Sequence, residues 1–190
     1  MMDFLRFEPE YLLEGFDDCV VFGETEKYIQ GCMIYATSTK ELVSKLRKYS
    51  GFIGVLSPKV EVNRLAVMRK KVFVLLDSVE RELDYTTVKL AAEKDVAIEV
   101  CFAKYLKVSG VKRSQLFERD RILFKIVEKF DAPFVLTSGA ENFYEMRTKK
   151  QIYDFFQTLG ANVKRAEEWM KRFERILKDE KFIMDGFEEL

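Results

Sequence analysis

The 190-residue chain contains no histidine. That removes the commonest general base, the usual zinc ligand and any Ser–His or Cys–His nucleophile pair. Hydrolysis by its own side chains would have to rely on carboxylates, Lys or Tyr, with any metal held by oxygens. Cysteine is scarce: Cys19, Cys32 and Cys101 form no Cys-x-x-Cys pair. They read as buried free thiols in a reducing compartment. No apolar run approaches the ~20 residues of a membrane span, and the acidic N-terminus lacks a signal-peptide layout. A cytoplasmic protein without membrane contact is expected. There is no Gly-x-Gly-x-x-Gly turn and no Gly-rich Lys loop, which weakens the case for a nucleotide-binding open sheet. Net charge is missing too: 32 basic groups balance 32 acidic ones, which argues against a globally basic nucleic-acid binder.

Hydrophobic residues make up 48%, enough to exclude a disordered chain and to fill the core of one domain spanning 1–190. Seventeen Phe against one Trp point to a phenylalanine-rich interior. The charge is unevenly spread. Residues 1–18 hold six acidic groups and one basic; residues 179–190 hold five and one. Between 19 and 178, 30 basic groups face 21 acidic ones, so the body is basic and a localised basic face is allowed. The acidic ends are expected to be solvated or loosely ordered, with docking against a basic partner as the alternative.

Short, continuous apolar runs mark strands at 19–22, 32–36, 52–56, 72–76, 96–100 and 134–137. Continuous runs fit strands buried on both faces of a parallel sheet. Pro133 suits only the first position of the last one. Helices separate the strands. Ser38 with Glu41 forms a capping box. Ser57-Pro58 starts a second helix with Pro at its first position. Asp84 caps a third, Ser114 a long fourth with Leu123, Ile126, Val127 and Phe130 on one stripe, and Thr148 a fifth ended by Gly160. Asn162 opens a sixth with an apolar seam of Val163, Ala166, Met170, Phe173 and Leu177. This alternation predicts right-handed parallel crossovers, in either a doubly wound open sheet or a TIM-barrel-like (β/α) barrel with outer helices; the missing Gly-rich loops favour the barrel, which at this length would be minimal or irregular.

Several residues are candidates for function. Arg64, Arg81, Lys104, Arg113, Lys129 and Arg147 lie near strand and helix ends, from which cations can reach phosphates, although most basic residues of a soluble protein simply face water. Thr137-Ser138-Gly139-Ala140 either cradles an anion with free N–H groups or simply turns the chain. Asp77 and Glu99 could line a barrel mouth and hold Mg²⁺, or serve as a loop cap and an inward polar residue paired with a cation. Of the aromatics near basic residues, Tyr105, Phe143 and Tyr144 are the loop rings best placed to stack on unpaired bases.

The segments Asp84-Tyr85-Thr86-Thr87-Val88-Lys89-Leu90-Ala91-Ala92-Glu93-Lys94-Asp95-Val96-Ala97-Ile98-Glu99-Val100 and Phe134-Val135-Leu136-Thr137-Ser138-Gly139-Ala140 resemble the archaeal ribonuclease P protein component 3 family. The resemblance runs over about 51–177 and is densest over 84–159. Asn63-Arg64 matches a recurring pair of that family, and Arg147 its basic residue after the Ser-Gly-Ala turn. Lys104 stands where the family usually has arginine, and Tyr85 where many members have histidine. The resemblance implies a TIM-barrel-like subunit that binds and braces the catalytic RNA for removal of the 5′ leader from precursor tRNA. Arg64, Arg81, Lys94, Lys104, Arg113, Lys129, Arg147, Ser138 and Gly139 would contact RNA. No catalytic residue, metal or cofactor is expected on the chain, and Mg²⁺ would sit with the RNA subunit. The implied partners are ribonuclease P RNA, precursor tRNA, component 2 in a heterodimer or heterotetramer, and the other ribonuclease P proteins. The competing reading is a barrel enzyme acting on a phosphorylated small molecule, with Ser138 and Gly139 gripping phosphate and Lys104, Asp77 or Glu99 doing the chemistry.

Overall fold

The computed structural model describes residues 1–178, together with the backbone of Phe182–Met184 and Phe187–Glu188, which pair antiparallel. The expectation of loose order for 179–190 otherwise lies outside the described residues. Seven parallel strands follow one another in sheet order: β1 (Met2–Leu5), β2 (Asp18–Val21), β3 (Ile29–Tyr35), β4 (Phe52–Leu56), β5 (Val72–Leu75), β6 (Ala97–Cys101) and β7 (Phe134–Thr137). Six match the apolar runs. β1 does not, because the acidic composition of 1–18 masks a four-residue strand whose side chains are all buried.

The sheet curls into a nearly closed barrel. Its edges meet where β1 and β7 end: Gly139 N donates to Phe4 O at 3.1 Å and Arg6 N donates to Ala140 O at 2.8 Å. Side chains alternate between two clusters, as the strand repeat requires. Met2, Phe4, Val20, Phe22, Val74, Leu76, Ala97 and Val135 fill the inside. Ile34, Val55, Leu75, Ile98, Val100 and Leu136 face the helices. Seven strands leave a narrow interior, and Gly54 makes room in it. A Cβ there would stand 2.7 Å from the Phe22 ring and 2.8 Å from Leu76.

The helices are α1 (Thr39–Lys48), α2 (Val60–Val67), α3 (Tyr85–Lys94), α4 (Ala103–Leu106) and α5 (Gly110–Phe130), which lie between strands, and α6 (Lys149–Thr158) and α7 (Val163–Lys178), which follow β7. Ser38, Asp84 and Thr148 cap their helices; Thr148 and Gln151 form a capping box, whereas the one expected of Ser38 and Glu41 is only half made, because the Glu41 carboxylate accepts from Thr37 N at 2.9 Å instead of from Ser38 N. Two starts differ. α2 begins past Pro58, because Ser57 Oγ accepts from Lys59 N at 3.1 Å and holds an extra turn there. α5 begins at Gly110, not after Ser114; its first turn is exposed and so carries no apolar stripe.

α7 lies across the strand starts. Arg165 pairs with Asp131 ahead of β7 (2.7 Å), Arg172 with Asp95 ahead of β6 (2.7 Å) and Lys178 with Asp18 of β2 (3.1 Å). The Met1 amino group stands 3.5 Å from Glu174. Met170 and Phe173 join the inner cluster, and the Phe173 ring meets Phe52 of β4 edge-on at 5.7 Å. α7 therefore plugs the base of the barrel.

Candidate functional site

The mouth of the barrel, where the strands end, holds a buried ionic network. Glu99 of β6 is fully buried and accepts from the Arg6 guanidinium (2.5 Å), from Asp77 N (2.8 Å) and from the Thr137 hydroxyl (2.7 Å). Asp77, just past β5, is bound by Arg81 (3.0 Å) and Lys104 (2.5 Å) and accepts from Cys101 N (2.9 Å). Lys104 reaches on to Asp120 of α5 (2.6 Å), which also accepts from the Tyr105 hydroxyl. Arg81 donates to the Glu99 carbonyl at 2.5 Å. Glu99, Asp77 and Asp120 are thus matched by Arg6, Arg81 and Lys104. Charges persist in such a place only when paired and hydrogen-bonded.

Burial opposes ionisation of Asp77, but Arg81 and Lys104 outweigh it and hold its carboxyl below the usual range. Burial, reinforced by Asp77 and Glu99, pushes the Cys101 thiol up. Burial, reinforced by Asp120, raises the Tyr105 hydroxyl likewise. Neither is a poised nucleophile. Among the described residues no three of His, Cys, Asp and Glu converge as metal ligands would. A cavity of about 650 Å³ opens above the network, lined by Arg6, Asp77 and Lys104 within and by Tyr35, Lys107 and Lys112 outside.

This geometry corrects several sequence expectations. Arg81 (3% exposed) and Lys104 (1%) are interior ion-pair partners of the mouth network and not exposed cations. Ser138 and Gly139 are buried, and their donors are spent on closing the barrel. Ser138 N and Oγ donate to Asp3, Gly139 N to Phe4 O, and Ala140 N to Ser138 Oγ. Gly139 sits at φ +57° with its missing Cβ against Cys101, so the turn requires glycine for closure and leaves no anion cradle. Tyr105 is not a loop ring. It lies in α4, 3% exposed and stacked on Phe117 at 5.0 Å. Within residues 1–18, Met2–Leu5 form β1 and pair in parallel with β2.

The other candidates stay at the surface. Arg64 is half-exposed and pairs with Asp84. Arg113 is exposed and ties back to Val108 O at 2.8 Å. Lys129 lies 5.1 Å above the Tyr85 ring. Arg147 braces the 3-10 turn Phe143–Glu145 through Tyr144 O (2.9 Å) and stands 5.4 Å over Phe102. Tyr144 is 88% exposed. Lys94, at the end of α3, lines a second groove of about 490 Å³ at the base with Arg69, Lys70 and Arg172, three cations that the sequence reading did not single out. Their signal was position: each lies at or beyond a helix end or on the helix that plugs the base.

The mouth carboxylates Glu99, Asp77 and Asp120 of this β/α barrel are thus paired from within, and most of the other candidate cations lie on its outside. The family model described as RNase P subunit p30 matches residues 20–182, and the chain belongs to that family. It is 49% identical over 191 residues to the ribonuclease P protein component 3 of Archaeoglobus fulgidus, covering 99% of this chain and 95% of that one. The component 3 proteins of Natronomonas pharaonis and Methanocaldococcus jannaschii are 33% and 28% identical over 82% of the chain, covering 73% and 71% of their own lengths. A chain in a cryo-EM structure of archaeal ribonuclease P with mature tRNA has the same fold, with a TM-score of 0.76 and 22% identity over 99% of this chain and 97% of that one.

Proposed function

We infer that this protein is the component 3 subunit of an archaeal ribonuclease P. It binds and stabilises the catalytic RNA that removes the 5′ leader from precursor tRNA. The observation that carries this is the near full-length identity to a component 3 protein. The mouth network supports it: a chain with no histidine and with its buried carboxylates neutralised offers cations to RNA and leaves bond breaking to the RNA. The catalytic Mg²⁺ belongs with that RNA. Component 2 is the protein partner, in a heterodimer or heterotetramer, and the assembly works in the cytoplasm. No helix of the described residues is long and apolar enough to cross a membrane, which agrees with that placement. The small-molecule reading loses its support, because Ser138 and Gly139 have no free donors and Lys104 is clamped between Asp77 and Asp120.

Reconstitution tests this. Ribonuclease P RNA, component 2 and precursor tRNA are combined with and without this protein across a Mg²⁺ series. Addition should lower the Mg²⁺ needed for cleavage at the mature 5′ end. An unchanged Mg²⁺ requirement, or cleavage by the protein without RNA, would overturn the reading.

A further inference from the structure

Every strand of this barrel runs from base to mouth, so each helix that connects consecutive strands returns to the base and ends there. Helix C-termini carry the negative end of the helix dipole and favour cations. Arg47 and Lys48 close α1, Lys94 closes α3 and Lys129 closes α5, whereas Lys45 turns back to Glu41 and to the Tyr35 carbonyl at 2.7 Å. Arg69, Lys70 and Lys71 follow the end of α2. Dipole compensation accounts for each cation separately. The barrel topology adds something no single helix needs: it collects them at one end of the molecule.

The carboxylates of the same connections are already taken. Asp95 and Asp131, in left-handed positions after α3 and α5, are bound by Arg172 and Arg165 of α7. The base groove between the α2–β5 connection, the end of α3 and α7 is lined by Arg69, Lys70, Lys94 and Arg172 against Asp95 alone. Arg69, Lys70 and Lys94 are exposed and make no ion pair with another described residue. The mouth cavity also has four cations, but Asp77, Glu80 and Glu141 face them, and Arg6, Lys104 and Lys107 are already paired. A polyanion therefore favours the base. On the α7 wall, Trp169 Nε1 and Arg172 Nε are buried N–H groups with no acceptor among the described residues, so the exposed Arg69, Lys70 and Lys94 are the groups that can reach a phosphate directly. The Trp169 ring has Arg172 at 4.8 Å and Arg165 at 5.7 Å, so arginines occupy the positions where a base would stack. That selects a sugar–phosphate backbone over a splayed nucleotide.

We propose, building on the subunit role above, that the base of the barrel, centred on Arg69, Lys70, Lys94 and Arg172, is the surface that meets the phosphate backbone of folded RNA, and that the mouth is not. The test compares Arg69→Glu/Lys70→Glu/Lys94→Glu with Lys107→Glu/Lys112→Glu at the mouth rim. Each is titrated with ribonuclease P RNA over a salt series. The base variant should bind at least about tenfold more weakly, with a log–log salt slope shallower by about two to three, while the mouth variant stays within about twofold of wild type. Thermal midpoints should match wild type; if the triple variant unfolds, Lys70→Glu alone should weaken binding in the same direction with a slope shallower by about one, again with the mouth variant unaffected. A base variant that binds like wild type, or a mouth variant that loses as much, overturns the assignment. Wild-type protein that neither binds the RNA nor lowers its Mg²⁺ requirement overturns the subunit reading instead.

Discussion

At the scale of single residues, charge type did not reveal charge state of use. Lys104 and Arg81 look in sequence like Arg113 or Lys94, yet the first two are interior and the last two face water. Asp3 is the sharpest case. It lies in the stretch read as a solvated acidic end, but it is buried at the barrel seam. Burial pushes its carboxyl up to about 7, against the hydrogen bonds donated by Ser138 and Phe4. The sign follows from linkage. Between the unfolded value of 3.8 and about 7, the folded chain keeps a proton that the unfolded chain has released, so stability falls as pH rises through that window. Asp3→Asn should remove this dependence: its thermal midpoint should vary less than wild type between about pH 4 and 8 and equal or exceed it at the upper end. A variant destabilised equally at every pH would show that the carboxylate itself strengthens the seam. Asp77 has the opposite sign, its contribution being lost as pH falls below the ordinary carboxylate range.

At the scale of elements, the caps were legible and the packing role was not. Ser38, Asp84 and Thr148 declare helix starts because their oxygens satisfy the N–H groups of the first turn, a strictly local matter. The seam of α7 was visible as a 3.6-residue stripe, but a stripe does not say what it packs against. Here it seals the barrel base through Met170 and Phe173. Phe173→Ala should cost about 3–5 kcal/mol, the range for a large aromatic removed from a core. Trp169 is the single tryptophan and sits on the same helix, so its fluorescence reports the plug directly. The variant's emission should shift at lower denaturant than wild type; coincident transitions would mean that α7 rests on the barrel without sealing it.

At the scale of the molecule, the barrel depends on its two sheet edges meeting. β1 supplies the Phe4 carbonyl and the Asp3 carboxylate to the turn after β7; Arg6, just past β1, adds its amide and neutralises Glu99. Deleting residues 1–6 removes all of these and leaves Glu99 buried without its cation. An uncompensated buried charge alone costs about 3–5 kcal/mol, a large share of the ~5–15 kcal/mol by which a domain is stable. The truncated chain should lose its near-UV circular dichroism and a cooperative thermal transition. Retention of both would mean that the six-stranded remainder folds without closure.

The sequence by itself determined the strand and helix alternation, most helix caps, the phenylalanine-rich core and the absence of an imidazole base. These are set by side-chain type, apolar spacing and backbone hydrogen bonding over a few residues. Only the tertiary structure decided which cations remain free, where the Ser138 and Gly139 donors go, and that cations following separate helices share one end. Those outcomes depend on partners far apart in the chain, such as Asp3 with Ser138 or Arg6 with Glu99. A residue's neighbours along the chain carry no record of the charge that closure will bring against it.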